Sequence, residues 1–440
     1  MPARAYLDHA ASSPIRPEVA EQVAQDLSEG LGGWANPSSQ HASGRRMAGL
    51  LAQARARIAR ALGVDAHEVV LTSGGTEASA LMIAGRARAV PGGRLVVSPI
   101  EHPAVLDSAR AAVEQLGAGL SLLEVDGAGR VGLDSLTASL SASSGAGPAG
   151  DPGGAGSRAR PTGADTGPPR RGRVSLVSVM AANNETGVVQ DMAAVVGRVR
   201  RATGVERPGQ PGYVPVHCDA VAALGKTVVD FRGWGLDAMS LSGHKLGAPV
   251  GVGALVVRRE VDLRPVTGGG GQERGVRSGT QDVIGARALA LAVELAVGER
   301  EAEAVRLGAL RDRLLREATA LEGVHATLPA DAAHLPSTAH LWFEGAQAEA
   351  LLMALDLAGI DASAGSACHA GVHGPSHVLL AMGLGQDAAR STLRVSLGPG
   401  STERDVERLV TALPGAVDAA RRMRAAAGPG HSPAPQRREM

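Results

Sequence analysis

Two lysines, Lys226 and Lys245, stand among 44 basic residues, so every other basic side chain is an arginine. A primary amine can shed its proton near neutrality and form a Schiff base, whereas a guanidinium stays charged. A lysine in an arginine-dominated chain therefore marks a place where arginine cannot serve. Lys245 follows Ser242, Gly243 and His244 at the end of an apolar run, a poor setting for a solvated charge. Cysteine is just as sparse. Cys218 ends the apolar run Val214 to Cys218 and reads as packing, while Cys368 lies in SAGSACHAG, among Gly, Ala and Ser, the setting of an accessible thiol nucleophile.

Other candidates follow short apolar runs in the same way. Asp219 leaves such a run and suits a buried cation, for example a protonated pyridine nitrogen. Gly75 and Thr76, in SGGTEA, open the next helix, where small residues and free amides favour a phosphate. His102, in PIEH, is placed to stack on a planar ring or shuttle a proton, or is merely solvated. In AANNETG, Asn183, Asn184 and Glu185 either bind a ligand or cap a turn. Arg394, in LRVSLG, could hold a carboxylate bidentately or serve a structural ion pair. The loop GGGGQERGVRSGT offers Arg274, Arg277 and Thr280 to a phosphate or a neighbouring subunit, or is a flexible hairpin.

These residues need elements to hold them. Met47, Leu51, Ala54, Ile58 and Leu62 recur at spacings of three or four, which predicts an amphipathic helix across Gly44 to Val64. Runs predicted as strands follow at Val69–Thr72, Leu95–Ser98, Leu120–Val125, Val174–Met180, Val214–Cys218 and Asp237–Ser242, alternating with helical stretches. The alternation predicts an α/β fold with a mainly parallel sheet, whose ligands sit beyond the carboxyl ends of the strands. A large domain is expected over 15–299, and a smaller α/β domain from 1–14 with 300–424. The Gly-, Ala-, Pro- and Ser-rich stretch 141–173 is expected to be a disordered insertion, and 425–440 a disordered tail.

Composition closes off several function classes. Acidic and basic residues balance at 44 each, which argues against direct binding to nucleic acid or an anionic membrane. No apolar run reaches the roughly 20 residues of a membrane span. The N-terminus lacks the apolar core of a secretory signal, and two cysteines make no disulfide framework or zinc site. A cytoplasmic small-molecule enzyme is the expectation, with no metal.

In order, YLDHAASSP, NPSSQHASG, TSGGTEA, EHPAVL, NNETG, CDAVAALGK, SLSGHK, GGGGQERGVRSGT, GSACHAG and LRVSLG resemble the cysteine desulfurases of the NifS and IscS type. These are class V aminotransferase relatives with the fold type I pyridoxal-phosphate architecture. The resemblance implies that pyridoxal 5'-phosphate is carried by Lys245, with Gly75, Thr76, Ser242 and His244 at its phosphate. It also implies that Asp219 meets the pyridine nitrogen, His102 stacks on the ring and Asn184 lies near the phenolic oxygen. Asn36 and Arg394 would face the substrate carboxylate, and Thr280 would reach the phosphate of the partner in a homodimer. The implied reaction takes L-cysteine to L-alanine and leaves sulfur on Cys368 as a persulfide. The GSAC context is similar to the group that feeds iron–sulfur scaffolds and transfer-RNA thiolation enzymes. A selenocysteine lyase, an aminotransferase or a degenerate cofactor-binding scaffold are the competing readings. One position departs from the family: Ala222 stands where a glutamine is usual, three residues after Asp219, which removes a cofactor hydrogen bond and predicts a slower enzyme or an altered cofactor proton affinity.

Overall fold

The structure, a computed structural model, describes residues 4–141, 172–365 and 374–427. Most of the low-complexity stretch, Cys368 and the tail beyond Ala427 lie outside the described residues.

After a short strand β1 (Ala5–Tyr6), the chain builds a central sheet from β2 (Val69–Thr72), β3 (Arg94–Val97), β4 (Gly119–Leu122), β5 (Val174–Ser178), β6 (Val216–Asp219), β7 (Ala238–Ser242) and β8 (Gly253–Val257). Their order is β2-β8-β7-β6-β5-β3-β4. Neighbours from β7 through β4 run parallel, and β8 runs antiparallel to both β7 and β2. Two reversals cancel, so β2 ends on the same edge of the sheet as β3, β5, β6 and β7. Apart from β4, these strands are buried throughout, because helices cover both faces; this is why they read as nearly unbroken apolar runs. The pleat divides them: Val69 and Leu71 point into one core and Val70 into the other.

The covering helices are α1 (Pro17–Ser28), α2 (Ala42–Leu62), α3 (Gly75–Ala89), α4 (Pro103–Leu116), α5 (Leu133–Ser141), α6 (Met192–Thr203) and the 36-residue α7 (Val283–Ala318). In α2 all five apolar positions picked out by spacing are buried, and Gly63 ends the helix in the left-handed region at φ +66°. Fully burying a leucine or isoleucine of this kind stabilises by about 1.5–3 kcal/mol.

A separate core lies further along the chain. β9 (Val324–Ala326), β10 (Thr338–Phe343) and β12 (Thr392–Ser396) form an antiparallel sheet, and β11 (Ile360–Asp361) pairs in parallel with β1. With α8 (Ala348–Leu357) and α11 (Glu403–Ala427), they assemble around Leu7, Leu314, Leu351, Leu393 and Leu409, while α9 (His377–Ala381) and α10 (Gln386–Ala389) pack in a smaller cluster with Ile100, Met180 and Val188. Ala5 and Leu7 carry the start of the chain into this later core. Among the described residues, no helix is long and apolar enough to cross a membrane.

Candidate active site

Five strands deliver their last residues to one edge of the central sheet, and a cavity of about 300 Å³ opens there. Gly75, Thr76, His102, Asn184, Asp219, Ser242, His244 and Lys245 all line it. They arrive by five strand-to-helix or strand-to-turn connections, as expected for a ligand site beyond the carboxyl ends of an α/β sheet.

The β2–α3 connection forms the anion end. Gly74 takes φ +154°, open to glycine, and α3 starts at Gly75 with its first amides unsatisfied within the helix. A Cβ on Gly75 would lie 2.7 Å from Val221 Cγ2 and 3.3 Å from Ser242 Cβ, so the tight cradle requires glycine. The amides and the helix dipole favour an anion here. His102 caps α4: its Nδ1 accepts the Ala104 N–H at 3.0 Å, which fixes the ring and leaves Nε2 to carry the proton of the neutral imidazole.

The two asparagines divide their labour. Asn183 is buried and structural, its Oδ1 accepting the Glu185 and Thr186 N–H groups and its Nδ2 donating to Ile100 O. Both asparagines line the ligand cavity, as does Ala222, but the side chain of Asn183 is spent on the turn. Cys218 is fully buried in the core, and burial together with nearby Asp219 pushes its thiol up, as a packing residue requires.

Asp219 is 5% exposed and accepts the Val221 N–H at 2.9 Å. Burial pushes its carboxyl up to about 6, with the Val221 amide and the Lys245 charge only partly offsetting the cost. Next to it the buried Glu101 is pushed well up by burial and by Asp219; its Oε1 accepts the Met180 N–H, and Oε2 has no hydrogen-bond partner. The wall thus holds a buried anion short of positive charge. Lys245 donates from Nζ to Ala10 O and, at 2.7 Å, to Ala11 O, so the chain's N-terminal segment supplies the resting partners of the amine. That segment is itself pinned by Ser13 N–H to His244 O at 2.9 Å. Burial and the Lys245 charge hold His244 down at about 4.

Three expected residues stand apart from this cavity. Arg394 is 2% exposed on β12, with its guanidinium donating to Asp8 Oδ1 at 2.8 Å and Asn184 O at 2.9 Å. It therefore ties β12 and the N-terminal segment to the NNETG turn, and a substrate carboxylate would have to compete with Asp8. Asn36 is exposed and accepts the Ser38 N–H. Thr280 is exposed beside a different, 60 Å³ cavity with Ser73 and Arg277. Cys368 lies outside the described residues. Sequence reasoning did not place Lys226, Ala10, Ala11 or Thr338 at the cavity; the rarity of lysine was the one available signal, and it pointed to Lys226.

The donor set fits pyridoxal phosphate. The glycine cradle at the α3 N-terminus matches the phosphate. The under-compensated Asp219 matches a ring nitrogen that carries a proton, and Lys245 supplies the amine for a Schiff base.

Comparison with known proteins points the same way. The aminotransferase class-V family model matches residues 5–145 and 170–409. An IscS-like cysteine desulfurase of Mycobacterium tuberculosis is 41% identical over 429 residues, covering 96% of this chain and 98% of the relative. Among solved structures, a NifS-like protein from Rickettsia africae superposes with a TM-score of 0.77 at 28% identity, covering 94% of this chain and 99% of the other. SspA, solved in complex with cysteine, gives 0.69 at 29% identity, covering 90% and 99%. With a family model matching most of its length and a relative this similar across nearly all of it, the chain belongs to the class V aminotransferase family.

Proposed function

We propose that the chain is a cysteine desulfurase, acting as a homodimer on L-cysteine and passing sulfur to an acceptor protein of iron–sulfur assembly or transfer-RNA thiolation. The observation that carries the reading is the convergence of Lys245, Asp219, His102, Asn184 and the Gly75 cradle on one cavity. Support also comes from cysteine desulfurase relatives of matching length and from the SspA neighbour solved with cysteine. Two separate cores, one on the central sheet and one around Leu7, Leu314 and Leu393, favour a large domain over 15–299 and a smaller one from 1–14 with 300–424.

Pyridoxal phosphate is the cofactor; when bound, it supplies the electron sink for a carbanion beside the substrate's amine. Lys245 Nζ would take the proton from the substrate Cα. Asp219 would hold the ring nitrogen and favour its protonated form, which would deepen the sink. His102 would help hold the cofactor ring, and with its Nδ1 engaged by the Ala104 N–H it would offer Nε2 for proton transfer. The Cys368 thiolate then attacks the substrate sulfur. The Cβ–S bond breaks, an S–S bond forms, and the electron pair left on Cβ takes up a proton, so that alanine departs and a persulfide remains. No outside oxidant is needed: the substrate carbon is reduced as the two sulfurs are oxidised.

The test is to incubate the full chain with L-cysteine and measure alanine, sulfide and a persulfide on Cys368. Cys368→Ser should retain the cofactor's visible absorption band but lose sulfide release by two orders of magnitude or more, on the order of a lost nucleophile. Undiminished sulfide release from Cys368→Ser would instead mark a lyase that needs no thiol.

A further inference from the structure

A second cavity, of about 460 Å³, lies between the start of the chain, α7 and the segment following β12. It shares Lys226 and Lys245 with the first, and its volume is that of a small-molecule pocket. Much of its wall is apolar, formed by Pro14, Leu224, Leu246, Leu307, Leu397 and Pro399.

Local structure brings Lys226 to it. After β6 the chain coils through residues 220–227, with Leu224 N–H bonded to Ala220 O at 2.9 Å and Thr227 N–H to Ala223 O at 3.0 Å. Gly225 seats that coil on α7: it takes φ +74°, and a Cβ there would lie 2.7 Å from Ala296 Cβ. The next residue, Lys226, lines both cavities.

The charged groups around this second cavity have partners, with one exception. Arg16 holds Glu299 at 2.6 Å, Arg4 holds Asp361 at 2.7 Å, Glu303 holds Arg306 at 2.8 Å, and Asp405 accepts from the Thr402 hydroxyl at 2.7 Å. Burial holds His9 down at about 4, so its imidazole is neutral, and Lys245 is engaged by the Ala10 and Ala11 carbonyls. The exception is Lys226, whose ammonium makes no hydrogen bond or ion pair among the described residues. A second donor is equally bare. Ser337, 1% exposed, lines the cavity just before β10, and its hydroxyl has no hydrogen-bond partner. A polar group left unbonded in the interior is costly, and two beside one cavity point to an acceptor supplied from outside the chain.

We propose that this cavity binds a small monocarboxylate with an apolar body, with Lys226 as the counter-ion of its head group, Ser337 as a further donor, and the leucine and proline walls around its hydrocarbon. An inorganic anion would satisfy the amine but leave those walls against water, and a neutral apolar molecule would cover the walls but leave the amine bare. Burial and the charges of Lys245 and Arg394 bring the Lys226 amine down to about 7, the condition of an ammonium without a counter-ion; a carboxylate against it would hold the proton in place. Of the groups assigned to the cofactor, Lys245 alone reaches this cavity, so such a ligand is independent of the sulfur chemistry.

The test is a calorimetric titration of hexanoate into the full chain loaded with pyridoxal phosphate, with hexanol as the neutral analogue of the same body. Hexanoate should bind saturably at one site per chain and at least about tenfold more tightly than hexanol, the margin of a charge-assisted over a neutral hydrogen bond. Lys226→Met should bring hexanoate down to the affinity of hexanol and leave hexanol unchanged. Ser337→Ala, which keeps the amine, should weaken hexanoate several-fold. No saturable hexanoate binding below about 10 mM overturns the proposal. So does equal affinity for hexanoate and hexanol, which would mark a merely apolar void, or hexanoate affinity undiminished in either variant, which would place the ligand elsewhere. Lys226→Gln serves if the methionine variant fails to fold.

Discussion

Asp219 shows how a single residue can be stressed in one state and settled in another. Its carboxyl sits at about 6 because burial outweighs the Val221 amide hydrogen bond and the Lys245 charge. A cation placed against it restores its charge and is stabilised in return. Asp219→Asn keeps the shape but cannot hold a proton on the ring. Alanine formation should fall by two to four orders of magnitude, the span typical of lost acid–base support, while the protein still binds pyridoxal phosphate in a spectroscopic titration. At this scale the sequence was informative in an uneven way. Residues at or just beyond strand ends, such as Asp219 and Lys245, were legible because a polar group closing an apolar run has few structural explanations. The direction of Lys226 was not, because its spacing within CDAVAALGK says nothing about which face of the 220–227 coil turns toward the cavity.

At the scale of elements, the site depends on how closely β2 and α3 approach β7. Gly75 is the tightest point: a methyl group there would press on Val221 and on Ser242. Gly75→Ala should cost about 1–3 kcal/mol of local strain and weaken pyridoxal phosphate binding at least tenfold, measured by equilibrium titration of the visible band. Unchanged affinity would show that the anion end is looser than the contacts indicate. The buried strands β2, β3, β5, β6 and β7 were readable from composition because each is short, apolar and followed by small or titratable residues. β8 was not. GALVV follows a Gly- and Pro-rich stretch, and only its antiparallel pairing to both β7 and β2, a non-local fact, makes it the strand that turns β2 toward the site edge.

Across the whole molecule, pH acts through side chains that folding strips of water. Burial holds His9 and His244 at about 4 and His217 and His340 at about 3, against an ordinary value of 6.5. The unfolded chain takes up protons at these four imidazoles as pH drops through 6.5, and the folded chain does not. Stability present above that value is therefore lost on acidification. Asp219 and Glu101 work in the opposite sense, but they are two against four. The melting temperature of the cofactor-free chain should decline between pH 7 and pH 5. His217→Asn should flatten that decline by about one proton, or roughly 1.4 kcal/mol per pH unit, even though it breaks the bonds of His217 to Ser178 and Ser240. The N-terminal segment has a consequence in time as well. Its carbonyls hold Lys245, and its Asp8 is held by Arg394, 386 residues later in the chain. A ribosome must release nearly the whole polypeptide before Asp8 can meet Arg394, so the first dozen residues, with the carbonyls that hold Lys245, are seated late, and a tag fused ahead of residue 5 competes with that step of assembly.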